Sequence, residues 1–346
     1  MIKTLFTGVA ALLMTYNSVA CTRVVYKGPK NTVLTGRSMD FSIPIPANLW
    51  VYPSGVNRNG EVGETSIEWT SKYASVTTSS WDIATSDGMN EAGLVANLLW
   101  LVQSEYPDFE KDGDVQGLSV SLWAQYALDN FASVADAVEA FRKEEFAIVT
   151  DYIPGTDKYT TVHLSLSDAS GDNAILEFIN GKLEIHHDPS YTVMTNDPTF
   201  EEQLAIRKYW DKIPGKIFLP GTNSAPDRFV RASYYINAVT QTDNTRVAVA
   251  AVFSVVRNTS VPYGFSIEGF PNLSTTRWRA VSDQKNKVYY FESALSPNVI
   301  WIDLKKMLAK NLDTTYSLNL SKEQVYNGEV NADLKATEPF KFQGLD

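Results

Sequence analysis

The sequence predicts an α+β protein built as a four-layer αββα sandwich. Three observations lead there. β-leaning runs and helical stripes alternate in blocks: strands, two helices, strands, two helices, strands. The two helices of the first pair are joined by a short link, so two sheets can pack face to face with a helix pair outside each. Composition is that of an ordinary globular chain, 44% hydrophobic and 20% charged. Beyond residue 20 no stretch reaches the roughly 18–20 apolar residues that a membrane span needs. Layer counting alone also allows two α+β domains. With no repeat, low-complexity tract or linker in sight, residues 21–346 are read as one domain.

The elements follow in order. Residues 22–26 and 32–37 flank Gly28-Pro29-Lys30-Asn31, a turn cluster, and read as a hairpin. Residues 68–70 and 73–78 are further strand material, 87–93 reads as a turn, and 94–101 is a buried strand. Residues 118–130 carry a helical stripe through Leu118, Leu122 and Tyr126, and Ser133 caps a second helix over 134–143. Period two returns over 162–167, 174–179 and 182–187, punctuated by Asn180-Gly181, a strong hairpin signal. A strand over 191–196 and helices over 228–238 and 247–256 come next. Strands over 278–282, 287–292 and 299–304 close the pattern.

The single cysteine, Cys21, stands at a junction. Met1–Ala20 has a basic start at Lys3, an apolar stretch from Leu5 to Met14, and small residues Ser18-Val19-Ala20 at its end, the pattern of a removable signal peptide. Cleavage after Ala20 would put Cys21 at the new N-terminus of a periplasmic or secreted protein. Its α-amine, with an ordinary pKa of about 8, can then act as base for its own thiol. Two other readings stay open. Cys21 could be a lipid anchor on a binding protein, although Ser18 stands where lipoprotein processing favours a Leu-like residue. It could also be an inert buried thiol.

Near the nucleophile strand in the hairpin lie Arg37 and Asp40, within Gly36-Arg37-Ser38-Met39-Asp40-Phe41. Arg37 could hold a thiolate and Asp40 the amine; a surface ion pair is the plainer alternative. Other chemistries find little support. A net charge of −10 argues against nucleic acid as a partner. There is no G-x-S-x-G elbow. The three histidines, His163, His186 and His187, lie on expected strands, and His186-His187 lacks metal-ligand spacing to other His or Cys residues.

Cys21-Thr22-Arg23, Gly36-Arg37-Ser38-Met39-Asp40, Asp87-Gly88-Met89-Asn90-Glu91-Ala92-Gly93-Leu94, Met194-Thr195-Asn196-Asp197-Pro198 and Asp227-Arg228-Phe229-Val230-Arg231 together resemble the choloylglycine hydrolase family, over nearly all of the mature chain. The resemblance is nearest to its Gram-negative penicillin V acylase branch, through Asn97-Leu98-Leu99-Trp100-Leu101, Trp278-Arg279 and Ser296-Pro297-Asn298. It implies the αββα fold of N-terminal nucleophile hydrolases and a cysteine amidohydrolase that needs no metal or organic cofactor. It implies Cys21 as nucleophile with Arg37 and Asp40 as partners, Asn196 as oxyanion donor and Arg228 completing the charge network. Trp100 falls where bile salt enzymes carry an asparagine; its backbone N–H could be the second oxyanion donor and its indole could line the acyl pocket. Phe41 would add a second aromatic wall, with ordinary core packing the alternative for both. The implied partner is a small-molecule N-acyl amide: phenoxyacetyl penicillins, long-chain N-acyl homoserine lactones, or conjugated bile salts in a rival reading. A homotetramer is implied as well.

Overall fold

The computed structural model describes residues 20–143, 145–266, 274–320 and 325–345. All but the last residue of the expected signal peptide lies outside the described residues. The chain opens with the expected hairpin, β1 (Thr22–Gly28) and β2 (Thr32–Asp40), paired antiparallel with Thr22 opposite Ser38. Its turn places Lys30 and Asn31 at φ of 53° and 58°, left-handed geometry that asparagine tolerates well.

The hairpin sits in a seven-stranded sheet. Val193–Thr195 flanks β1, and Thr276–Asp283 flanks β2, followed by Val288–Ser293, Val299–Asp303 and Gly328–Glu329. Both faces of β2 are buried along all nine residues, as expected of a strand covered on one side by helices and on the other by a second sheet. That second sheet has nine strands, with Val162–Ser167, Val95–Trp100, Ala84–Asn90 and Ser75–Ser80 as neighbours at its middle.

Helices cover the two outer faces. Helices α1 (Trp123–Asn130) and α2 (Val134–Phe141) bury Trp123, Leu128 and Val138 against Leu98, Leu164 and Leu176 of the nine-stranded sheet. Helix α3 (Phe200–Trp210) leads into α4 (Ala225–Ala238) and α5 (Thr245–Asn258), which place Phe229, Val252 and Val256 against Val24 and Leu34 of the seven-stranded sheet. Gly36 marks the closest approach: a Cβ there would stand 2.4 Å from Val252 Cγ1. The architecture is the αββα sandwich that the block pattern predicts. Between the sheets the contact is partly polar. Thr35 Oγ1 meets Ser167 Oγ at 2.7 Å, and Arg37 Nη1 donates to the carbonyls of Ser86 and Leu98 at 2.9 and 3.2 Å.

Two local expectations change, and one element is new. Residues 84–90 form a central strand, and only the residues after Asn90 turn, so the turn expected over 87–93 is mostly strand. The helix expected from Leu118 begins at Val120 with one 3₁₀ turn and is α-helical from Trp123, because Gly117–Ser119 pairs in parallel with Ala147–Val149. Helix α3 was not expected.

Candidate active site

Cys21 lies one residue before β1, and the antiparallel register brings the end of β2 alongside it. The cysteine is buried and free, and it faces a cavity lined by Met39, Phe41, Trp81, Leu98 and Trp100. Arg37 Nη2 points at the sulfur, 3.6 Å away, and the Asp40 carbonyl is 3.8 Å from it. The guanidinium of Arg37 also lies over the Trp278 ring at 4.7 Å, and its Nε is 3.8 Å from the Asp87 carboxylate. Both Arg37 and Asp40 are buried, which excludes the surface ion pair. Burial pushes the Cys21 thiol up from its ordinary pKa, and Arg37 works against that rise.

Asp40 accepts hydrogen bonds from the hydroxyls of Thr276 and of Ser38, the latter at 3.1 Å. Burial nonetheless pushes its pKa up to about 6, with Arg228 the strongest opposing influence. Arg228, in the first turn of α4, connects the parts. Its Nη1 donates to the Cys21 carbonyl and to Thr22 Oγ1 at 2.7 Å, and its Nη2 donates to Asn196 Oδ1 at 3.0 Å. With its oxygen held by Arg228, Asn196 has its amide orientation fixed: Nδ2 must be the free donor end. That nitrogen donates to the Trp100 carbonyl at 2.8 Å and keeps a second hydrogen. Cys21, Arg37, Asp40, Asn196 and Arg228 are thus brought together. Phe41 and Trp100 line the cavity and touch each other at 6.1 Å between ring centroids, while also packing on the core.

A second tier of residues holds this arrangement in place, and sequence reasoning assigned none of it. Asp87, on the strand read as a turn, accepts from Asn97 Nδ2 at 2.6 Å and from the Tyr289 hydroxyl at 2.5 Å. Gln203 of α3 donates to the Asn196 carbonyl at 3.0 Å and to the Pro198 carbonyl at 2.6 Å, and it accepts from the Thr195 N–H at 3.2 Å. The histidines belong to a different construction. His163 Nδ1 meets Glu177 Oε1 at 2.7 Å, His186 lies 3.7 Å from Oε2, and the Phe200 N–H donates to Oε2 at 2.9 Å. Burial alone would raise the pKa of Glu177, but these hydrogen bonds hold it down at about 2. Glu177 thereby clamps the start of α3, four residues after Asn196. Among the described residues no group of three His, Cys, Asp or Glu side chains is disposed to hold a metal ion.

The geometry has parts that acyl transfer requires: a buried sulfur beside fixed cations, an amide donor and an apolar recess. Residues 21–319 match a family described as linear amide C–N hydrolases, choloylglycine hydrolase family. The chain is 46% identical to a penicillin V acylase of Pectobacterium atrosepticum, over 97% of this chain and 96% of the relative. A solved structure of penicillin V acylase from Agrobacterium tumefaciens superposes with a TM-score of 0.87 at 55% identity, covering 94% of this chain and all of the other. A bile salt hydrolase/transferase of Clostridium perfringens is 25% identical over 86% of this chain and 97% of its own length.

Proposed function

The chain belongs to the choloylglycine hydrolase family of linear amide C–N hydrolases, and on that premise we propose that it is an exported cysteine amidohydrolase with Cys21 as its N-terminal nucleophile. Its substrates are N-acylated small molecules, with penicillin V and long-chain N-acyl homoserine lactones ranked ahead of conjugated bile salts. The observation that carries this reading is the position of the Cys21 sulfur, at the head of an apolar cavity and 3.6 Å from Arg37. The same geometry speaks against an inert thiol, and a lipid on that sulfur would fill the cavity.

In the proposed reaction, removal of residues 1–20 converts the Cys21 amide nitrogen into a free amine, which Asp40 orients. The amine takes the thiol proton, directly or through water, and Arg37 stabilises the thiolate. The sulfur attacks the amide carbon, and the developing oxyanion accepts hydrogen bonds from Asn196 Nδ2 and the Trp100 backbone N–H. Collapse breaks the C–N bond as the Cys21 ammonium returns its proton to the leaving amine. Water then attacks the thioester, the Cys21 amine accepts its proton, and the carboxylic acid and free thiol emerge. Arg228 ties the cysteine backbone to Asn196, so the nucleophile and the oxyanion donor keep a fixed separation.

Substrate order follows from the aromatic walls. Phe41, Trp81 and Trp100 suit a flat phenoxy ring or a flexible alkyl chain through apolar burial. They offer little to the hydroxyls of a steroid, whose desolvation would go largely uncompensated. A periplasmic location and self-association belong to the same reading, and exposed Tyr209, Ile217 and Phe218 support an interface between copies. The test is a hydrolysis panel of penicillin V, penicillin G, acyl homoserine lactones and glyco- and tauro-conjugated bile salts, with intact-mass detection of the acyl-enzyme on Cys21. Efficiency on bile salts equal to or above that on penicillin V would reject the substrate order. An acyl adduct elsewhere would reject the nucleophile.

A further inference from the structure

Part of the cavity wall comes from a segment beyond the 21–319 family match. Gln343 lines the cavity that holds Cys21. Its backbone is held from two sides. The N–H donates to the Ile83 carbonyl at 2.8 Å, and the carbonyl accepts from the Ser119 and Ser121 hydroxyls, both at 2.7 Å. Phe342, next to it, is buried beneath the Arg58 guanidinium, and Leu345 donates its N–H to the Glu61 carbonyl at 3.0 Å. A backbone anchored this way gives the side chain a defined direction. Its Nε2 reaches across to donate to the Tyr152 carbonyl at 2.7 Å.

Tyr152 begins a loop that covers the cavity: Ile153, Pro154 and Thr160 line it as well. The hydrogen bonds of loop 152–160 turn inward. The Ile153 N–H donates to the Lys158 carbonyl at 2.8 Å, the Thr160 N–H to the Asp151 carbonyl at 3.0 Å, and the rings of Tyr152 and Tyr159 meet at 4.0 Å between centroids, tilted by 34°. A loop closed on itself moves as a unit about its base, and a bond to a fixed wall sets where it stops.

We propose that Gln343 is a specificity-determining residue: by pinning loop 152–160 to the wall at Ile83, Ser119 and Ser121, it sets the length and bulk of the acyl group that the cavity admits. The proposal rests on the reading that this cavity receives the acyl group. Gln343 touches no reacting atom in this scheme and acts through the shape of the recess, where small differences in fit separate substrates by about tenfold or more.

The test compares the exported wild-type enzyme with Gln343→Ala and Gln343→Met on two p-nitroanilides, phenoxyacetyl and decanoyl. Met nearly preserves side-chain volume but cannot donate to Tyr152. The kcat/KM ratio of decanoyl over phenoxyacetyl is expected to rise about fivefold or more in both variants, roughly the effect of one lost hydrogen bond. Trypsin should also cut after Lys158 faster in both, as read by mass spectrometry on the intact enzyme. A wild-type ratio in Gln343→Met overturns the proposal even if Gln343→Ala differs, because volume alone then accounts for the change. Unaltered cleavage after Lys158 in both variants overturns it too. A wild-type enzyme that cleaves neither amide sinks the functional reading and this proposal with it. Variants that cleave both at the wild-type ratio sink the proposal alone.

Discussion

Two walls meet at Cys21, and they are built on opposite terms. On one side Arg37, Asp40, Asn196 and Arg228 are buried and each is hydrogen-bonded to at least one fixed partner. On the other side Phe41, Trp81 and Trp100 meet edge to face, at 6.0 and 6.1 Å between centroids, around an open recess. The polar wall has little freedom, since moving one group strands the buried donors and acceptors of the next. The aromatic wall is held by apolar burial, which is graded and tolerant. A lost contact on the first side should therefore damage chemistry, and one on the second should re-rank substrates.

The largest break comes at the meeting point. Cys21→Ala should abolish turnover of every substrate and remove the acyl adduct from the mass spectrum, whatever the acyl group; any remaining turnover would place the nucleophile elsewhere. Next is Asn196→Ala, which should lower kcat by about 10²–10³ with a smaller effect on KM, the usual cost of one oxyanion donor. A kcat close to wild type would move the oxyanion site away from Asn196.

The polar wall can also be loosened by titration. Asp40 has a pKa pushed up to about 6, and in the proposed reaction its carboxylate orients the amine. Activity should fall as pH drops below an acid limb at or below 6, because the new N-terminal ammonium would pull that pKa down. The limb should be absent from the rate left in Asp40→Asn, and its persistence there would clear Asp40. The stability effect has the opposite sense: in the unprocessed chain, with its folded pKa raised, Asp40 contributes stability that is complete below its unfolded pKa and is lost as pH rises through about 6.

The smallest effect belongs to the aromatic wall. Trp100→Ala should lower kcat/KM for penicillin V about tenfold, a change of roughly 1.4 kcal/mol, while leaving poor substrates nearly untouched. A uniform loss across the substrate panel would merge the two walls into one and assign Trp100 to core packing.

The sequence made some of this legible and hid the rest for identifiable reasons. The Cys21 hairpin could be read because alternation and a turn cluster are local signals, and its register follows from the turn. Helix α5 showed through its Val-rich buried stripe. Ala84–Asn90 did not show: Ser86, Asp87, Gly88 and Asn90 are turn formers, and only the folded molecule explains them there. Gly88 makes room for Leu128 and Thr77, and Asp87 is bonded to Asn97 and Tyr289. Helix α3 buries only Phe200 and Gln203, so it has almost no apolar stripe to detect. At the site, residue types with intrinsic chemistry were found. Thr276, Asp87 and Gln203 were not, because a neutral or turn-like residue becomes functional only through a partner distant in sequence.

The burial of one peptide bond also fixes an order of events. Ala20 and Cys21 are each only 1% exposed. On the proposed maturation, the bond to be cut lies at the buried head of β1, where the folded sheets leave a peptidase little room. On that reading, cleavage is expected to come first and closure of the two sheets second. A molecule that folded early would be a sealed precursor, correctly built and permanently silent.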